Sequence, residues 1–225
     1  MSMNKLERFA ENETFSNLFQ CTSYKLDEAP FPLKGCWREE YFKNDNPLVL
    51  ELGCGRGEYT LALAQQFPHV NFIGIDRKGA RLWRGCKTAL ELPLPNVAFL
   101  RISIDTITSY FGKDEVDEIW VTFPDPQPSK PRKRLTSPEF IERYRPFLKS
   151  NGVIQLKTDS PIMYEFTLES IKNQPWTLLE NIEDVYLAAP DIDEQKRTLL
   201  TEIQTYYEKI WLKEGKAISY LKFRV

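Results

Sequence analysis

Glu51, Gly53, Gly55 and Gly57 fall within seven residues, in the run Glu-Leu-Gly-Cys-Gly-Arg-Gly that follows the apolar stretch beginning at Leu48. Glycines at such a turn permit positive φ and close approach of a ligand to the backbone, and the first N–H groups of a following helix face that ligand. A dinucleotide fingerprint needs G-x-G-x-x-G; here the third glycine comes one residue early and position 58 is Glu. The lysine and Ser/Thr of a phosphate-binding P-loop are missing as well. Glu51 would repel a pyrophosphate but attract an ammonium or sulfonium group. Twenty-one residues beyond Gly55, Asp76 ends a second apolar stretch, where a carboxylate can accept both hydroxyls of a ribose. An acid before the turn, the turn and a ribose acid after it suit a cationic nucleoside, S-adenosyl-L-methionine. The bland alternative is a strand-to-helix turn that binds nothing, with Asp76 an ordinary strand-end carboxylate.

A second constellation is Val121-Thr122-Phe123-Pro124-Asp125-Pro126-Gln127-Pro128-Ser129-Lys130-Pro131-Arg132-Lys133-Arg134. Prolines on both sides restrict the backbone around Asp125, which suits holding one carboxylate in a fixed pose. Between Gln127 and Ser150 seven basic residues (Lys130, Arg132, Lys133, Arg134, Arg143, Arg145, Lys149) face two acids, Glu139 and Glu142, a local +5 on a chain whose total is -2. Such an excess beside a cleft is what an RNA-phosphate footprint looks like. For Arg143, Arg145 and Lys149 a solvated helix face explains the charges better; for Lys130 to Arg134 the binding reading is favoured.

These residues need elements to position them. Leu48–Leu52 reads as a buried parallel strand. Residues 58–67 read as a helix stopped by Pro68, Asn71–Asp76 as a second strand and 78–92 as a helix halted by Pro93 and Pro95. Val97–Ile102, Val116–Phe123 and Val153–Thr158 give three more strands, with helices over 138–149 and 161–173. Two closing strands, 177–186 and 216–224, flank a helix near 198–213. Alternation at βαβ spacing across 48–173 predicts an open, mostly parallel α/β sheet, whose ligands bind at the carboxyl ends of the strands; Asp125 then points into the cleft. Residues 1–46, broken by Pro30, Pro32 and Gly35, read as an irregular N-terminal extension that packs on a main domain spanning 47–225 or covers its cleft.

Composition removes several functions. In 225 residues there is one histidine, His69, so histidine-rich metal sites are excluded and no metal site is expected. The cysteines Cys21, Cys36, Cys54 and Cys86 form no C-x-x-C pair, and four in a chain this long are no disulfide framework, so a reduced cytoplasm is expected. The charged start is no secretory signal, and no run approaches the roughly 20 apolar residues that span a bilayer, so no membrane partner is expected.

The glycine loop and Asp76 resemble the class I S-adenosylmethionine-dependent methyltransferases, whose Rossmann-like fold is a seven-stranded, mostly parallel sheet with an antiparallel last strand and helices on both faces. The Phe-Pro-Asp-Pro run and its basic loop, Lys157-Thr158-Asp159 after the fifth strand, and Thr205-Tyr206-Tyr207-Glu208 narrow the resemblance to the tRNA (guanine-N7-)-methyltransferase family over about 47–225. By matching position, that resemblance implies Glu51, Gly53, Gly55, Asp76, Ser103 (with Asp105 two positions on) and Asp125 as cofactor-binding. It implies Asp125 as catalytic, and Lys130, Asp159, Thr205, Tyr206, Tyr207 and Glu208 as substrate-binding. Gln127 stands where the family usually has tryptophan. The family methylates a guanosine of the tRNA variable loop, and its bacterial members are monomers or homodimers. Guanine N7 carries a free lone pair at neutral pH, so the lack of a catalytic histidine is no obstacle. The rival functions are a class I methyltransferase acting on another RNA, a small molecule or a protein, and an RNA-binding subunit that keeps the fold without catalysis.

Overall fold

The computed structural model describes residues 4–20 and 29–225; Met1 to Met3 and Cys21, part of the extension read from the sequence, lie outside the described residues. In chain order the elements are α1 (Lys5–Asn12), β1 (Leu18–Gln20), β2 (Leu48–Leu52), α2 (Glu58–Gln66), β3 (Asn71–Ile75), α3 (Gly79–Glu91), β4 (Val97–Arg101) and β5 (Val116–Thr122). Then follow α4 (Pro138–Tyr144), β6 (Leu148–Thr158), α5 (Pro161–Asn173), β7 (Thr177–Ile182), α6 (Glu194–Arg197), α7 (Tyr206–Lys213) and β8 (Ser219–Arg224). The helix expected near 198–213 is interrupted: Thr198–Glu202 forms a π-helical turn, the chain extends at Ile203, and a new helix starts after Thr205.

One sheet runs β1-β4-β3-β2-β5-β6-β8-β7, and only β8 is antiparallel to its neighbours. The strand at the far edge is the addition to the expected seven. Leu18 to Gln20 pair in parallel with Phe99 to Arg101, a three-residue strand too short to show any periodicity in the sequence. The chain leaves β2 for β3 and β4 on one side, then returns to β5 on the other. The crevice at the carboxyl ends of β2 and β5 is therefore the switch point where open α/β sheets bind ligands.

Alternation along β2 separates two cores. Leu48, Leu50 and Leu52 face the cluster containing Trp37, Tyr110, Ile141 and Leu221; Val49 faces the one containing Tyr59, Phe99 and Trp120. Glu51 shares the second face and is 4% exposed. The N-terminal segment is fastened by specific bonds rather than left irregular. Asn4 and Glu7 close a capping box on α1, Asn12 Nδ2 donates to Gly79 O at 3.0 Å, and Glu11 pairs with Lys87 at 2.9 Å. Fully buried Trp37 donates its indole N–H to Tyr110 O at 3.0 Å. Among the described residues no helix is long and apolar enough to cross a membrane.

Candidate active site

At the end of β2 the chain needs left-handed backbone three times within five residues: Gly53, Gly55 and Gly57 have φ of 76°, 58° and 71°. A side chain on Gly53 would meet nothing within 4 Å, so that glycine leaves an open surface above the loop. Gly57 serves packing instead, since a Cβ there would lie 2.6 Å from the Phe99 ring. This accounts for the early third glycine.

Glu51 is the floor of this loop. Its Oε2 accepts from Thr60 N–H at 2.8 Å and from the Thr60 hydroxyl, and its Oε1 accepts from the Thr122 hydroxyl at 2.5 Å. One carboxylate thus joins β2, α2 and β5. Burial pushes its pKa up to about 7, partly offset by the Thr122 and Thr60 hydrogen bonds. Asp76, at the end of β3, accepts from Gly55 N–H at 3.0 Å and from Lys78 N–H at 2.7 Å, so it holds the glycine loop in shape and keeps further lone pairs for a ligand.

Two clefts open above the sheet. The first, about 550 Å³, is lined by Glu51, Gly53, Gly55, Arg84, Thr205 and Tyr206. The second, about 790 Å³, is lined by Asp125, Asp159, Pro161, Tyr164 and Trp211. Arg81, Phe123 and Tyr207 belong to both and form the wall between them. Phe123 adopts φ of 47° and Gln127 φ of 44°, conformations that cost a bulky residue on the order of 1–3 kcal/mol. The strain redirects the chain as it leaves β5 and presents Asp125 to the second cleft, with Gln127 N–H donating to its Oδ1 at 3.1 Å. Asp159, at the end of β6, faces the same cleft and lies 3.6 Å from Lys216 Nζ.

The structure departs from several expectations. Glu208 is fully buried, pairs with Lys157 at 2.7 Å and accepts the Tyr186 hydroxyl at 2.8 Å, so it has no surface for a substrate. Thr-x-x-Glu is a capping box: Thr205 Oγ1 accepts from Glu208 N–H at 3.1 Å, and Glu208 Oε2 accepts from Thr205 N–H at 3.4 Å. Tyr206 and Tyr207, between them, are 49% and 44% exposed at the cleft rim. Ser103 donates its hydroxyl to Asp105 at 3.3 Å, and none of Ser103, Lys130 and Asp76 is among the residues lining the two clefts; Asp125, expected at the cofactor as well, lines only the second.

The basic loop is also less available than its charge suggested. Arg134 is buried over the Phe166 ring. Arg132 pairs with Glu139; Lys133 and Arg143 both pair with Asp105, whose carboxyl they hold below its usual range. Arg145 pairs with Glu142 and Lys149 with Asp117. Counting charge along the segment missed Asp105 and Asp117, which come from elsewhere in the chain. Sequence reasoning also missed Arg81 and Phe123 as the wall between the clefts; five cations without an acid between Arg77 and Leu90 were the available signal for the first.

A glycine-lined cleft at the switch point of a sheet whose last strand is antiparallel is the arrangement of the class I S-adenosylmethionine-dependent methyltransferases. The fold agrees with a 16S rRNA methyltransferase, KamB, at a TM-score of 0.60 and 15% identity, over 83% of this chain and 91% of that one. A family model described as "Putative methyltransferase" matches residues 45–221. The tRNA (guanine-N(7)-)-methyltransferase of Christiangramia forsetii is 48% identical over 226 residues, covering 100% of this chain and 99% of that protein. The enzyme of the same name from Bacteroides fragilis is 48% identical over 99% of this chain and 86% of that protein. The chain belongs to the tRNA (guanine-N7-)-methyltransferase family.

Proposed function

We infer that this protein transfers a methyl group from S-adenosyl-L-methionine to N7 of a guanosine in the variable loop of tRNA. The observation that carries the reading is the shared wall: the cleft floored by Glu51 and the glycine loop meets the cleft holding Asp125 and Asp159 at Phe123, Arg81 and Tyr207. The residues present fit the cofactor. Open Gly53 admits a ligand against the backbone, Asp76 suits a ribose, and buried Glu51 suits a cationic head. When bound, S-adenosyl-L-methionine supplies a methyl group on a sulfonium, an electrophile the N7 lone pair can take without a base to deprotonate it.

The chain's task is then orientation and charge. Asp125 accepts hydrogen bonds from the guanine N1–H and amino group, which selects guanine over adenine and stabilises positive charge building on the ring. Asp159, which lines the same cleft, assists it. Tyr206 and Tyr207 act as exposed rings beside the base, while Thr205 and Glu208 serve them by starting α7. Lys130, exposed just beyond Asp125, is assigned to phosphate. The three described cysteines, Cys36, Cys54 and Cys86, are all free, which suits action in the cytoplasm, as a monomer or homodimer. The test is incubation with tritiated S-adenosyl-L-methionine and bulk tRNA, then digestion to nucleosides. Label in 7-methylguanosine is expected; label in any other nucleoside, or none in tRNA, overturns the reading.

A further inference from the structure

A group of cations without carboxylate partners lies away from the basic loop, in which Lys130 is the exposed cation left unpaired. The lead-in to α3 and the helix carry five cations and no acid between Arg77 and Leu90. Lys87 pairs with Glu11 of α1. Among the described residues, Arg77, Lys78, Arg81 and Arg84 have no carboxylate partner, and Arg77, Lys78 and Arg84 are exposed. Arg56, exposed on the glycine loop, lies over the Tyr206 ring at 5.0 Å. Arg81 lies over the Tyr207 ring at 5.9 Å and donates to its hydroxyl at 3.2 Å.

α1 extends the same face. Lys5 is exposed and sits 5.9 Å from the Phe9 ring, and Phe9 lies so close to Gly79 that a Cβ there would come within 2.8 Å of it. The N-terminal helix therefore adds its cation to those at the start of α3. A phosphate docking at the start of α3 meets Arg77, Lys78 and Arg84, which no carboxylate pairs with, while α1 brings Glu7 and Glu11 beside Lys5 and Arg8. At Arg132, Lys133 or Arg145 a phosphate would first have to displace Glu139, Asp105 or Glu142. Counterion release, and hence affinity, follows the uncompensated cations. The exposed Tyr206–Tyr207 pair, with rings 5.5 Å apart, stands beside this face at the mouth of the clefts, where a base leaving its stack needs an aromatic surface.

We propose that the tRNA sugar-phosphate backbone docks on the face made by α1, the start of α3 and Arg56, and that the ion-paired cations Arg132, Lys133 and Arg145 contribute little of the electrostatic affinity. The proposal rests on tRNA being the substrate. The experiment measures tRNA binding across a salt series, without cofactor, for the full chain and two triple variants. In Lys5→Gln/Arg77→Gln/Lys78→Gln, which touches no residue lining either cleft, the log–log salt slope should fall by roughly 2–3, at about 0.7–0.9 per phosphate lost. Its affinity for S-adenosylhomocysteine and its melting temperature should match wild type. In Arg132→Gln/Lys133→Gln/Arg145→Gln the slope should fall by less than about 1. An unchanged slope in the first variant, or an equal fall in the second, overturns the proposal while wild type still methylates tRNA. Failure of wild type to bind tRNA at all overturns both this proposal and the substrate reading.

Discussion

Lys157 Nζ lies 2.7 Å from Glu208 Oε1, and neither side chain has exposed surface. The ammonium also donates to Ile203 O at 3.3 Å and lies 5.7 Å from the Phe123 ring; the carboxylate also accepts the Tyr186 hydroxyl at 2.8 Å. One enclosed pair thus ties the end of β6 to the first turn of α7 and to the strained residue between the two clefts. Burial depresses the Lys157 pKa, and Glu208 opposes that shift.

Removing one member of this pair should be costly because the other stays buried and charged. Lys157→Met is expected to destabilise the fold by about 3–5 kcal/mol. Lys157→Met with Glu208→Gln, which removes the orphaned charge but keeps the cap, should be more stable than Lys157→Met alone. Urea unfolding of wild type, both singles and the double decides it; strictly additive losses would show that the two charges are not coupled.

Glu51 is expected to make the affinity for a cationic cofactor depend on pH. Its folded pKa, about 7, lies above the ordinary 4.5, so the folded protein holds a proton that the unfolded chain loses across that window. This group's contribution to stability therefore falls as pH rises from about 4.5 to 7, and the ionised form is the less comfortable one in the free protein. A cationic ligand reverses that preference. Affinity for S-adenosyl-L-methionine is expected to strengthen as pH rises through 7 and level off above it, with proton release on binding. Glu51→Gln should flatten the profile. Calorimetric titrations between pH 6 and 8 would expose a flat wild-type profile, which would detach Glu51 from the cofactor's charge.

Much of this site was legible because its elements are strongly patterned. The apolar run Leu48–Leu52, the carboxylate of Asp76 that closes β3 and the proline-bounded Asp125 all depend on residue type at one position. What escaped depends on where side chains go in space. Thr205 and Glu208 at i and i+3 fit a capping box as well as a substrate contact, and only the partner Lys157, fifty-one residues earlier, separates the two. Arg134 reads as one more loop cation until Phe166 is placed beneath it. The three-residue β1 has no period to detect and owes its place to pairing with β4. Gly57 looked like a displaced fingerprint glycine; the Phe99 ring against it is a contact forty-two residues away.

Asp125 is the residue whose loss should separate chemistry from binding. In the proposed reaction, removing its carboxylate takes from guanine an acceptor for two donors and from the developing charge its counter-charge. Asp125→Ala is expected to lower kcat/KM on tRNA by roughly 10²–10³. S-adenosylhomocysteine affinity should stay within a few-fold, because Gly55 keeps its bond to Asp76 and Glu51 keeps its bonds to Thr60 and Thr122. Methyl transfer near the wild-type rate would remove Asp125 from the reaction.

Arg134 lies in the basic run but is wired as an anchor. It is 6% exposed, its guanidinium lies 4.4 Å from the Phe166 ring of α5, and its Nε donates to Pro126 O at 2.8 Å, one residue past Asp125. A planar fork can stack and direct that hydrogen bond together, which an ammonium cannot reproduce. Arg134→Lys keeps the charge and should still lower kcat, by about tenfold if the Asp125 loop shifts by a fraction of an ångström. Its tRNA salt slope should equal that of wild type. A phosphate contact gives the opposite pattern: Arg134→Lys would leave kcat at saturating tRNA intact, and Arg134→Gln would cut the slope by roughly 0.7–0.9. Measuring kcat and the slope on the same two variants therefore tells an anchor from a contact.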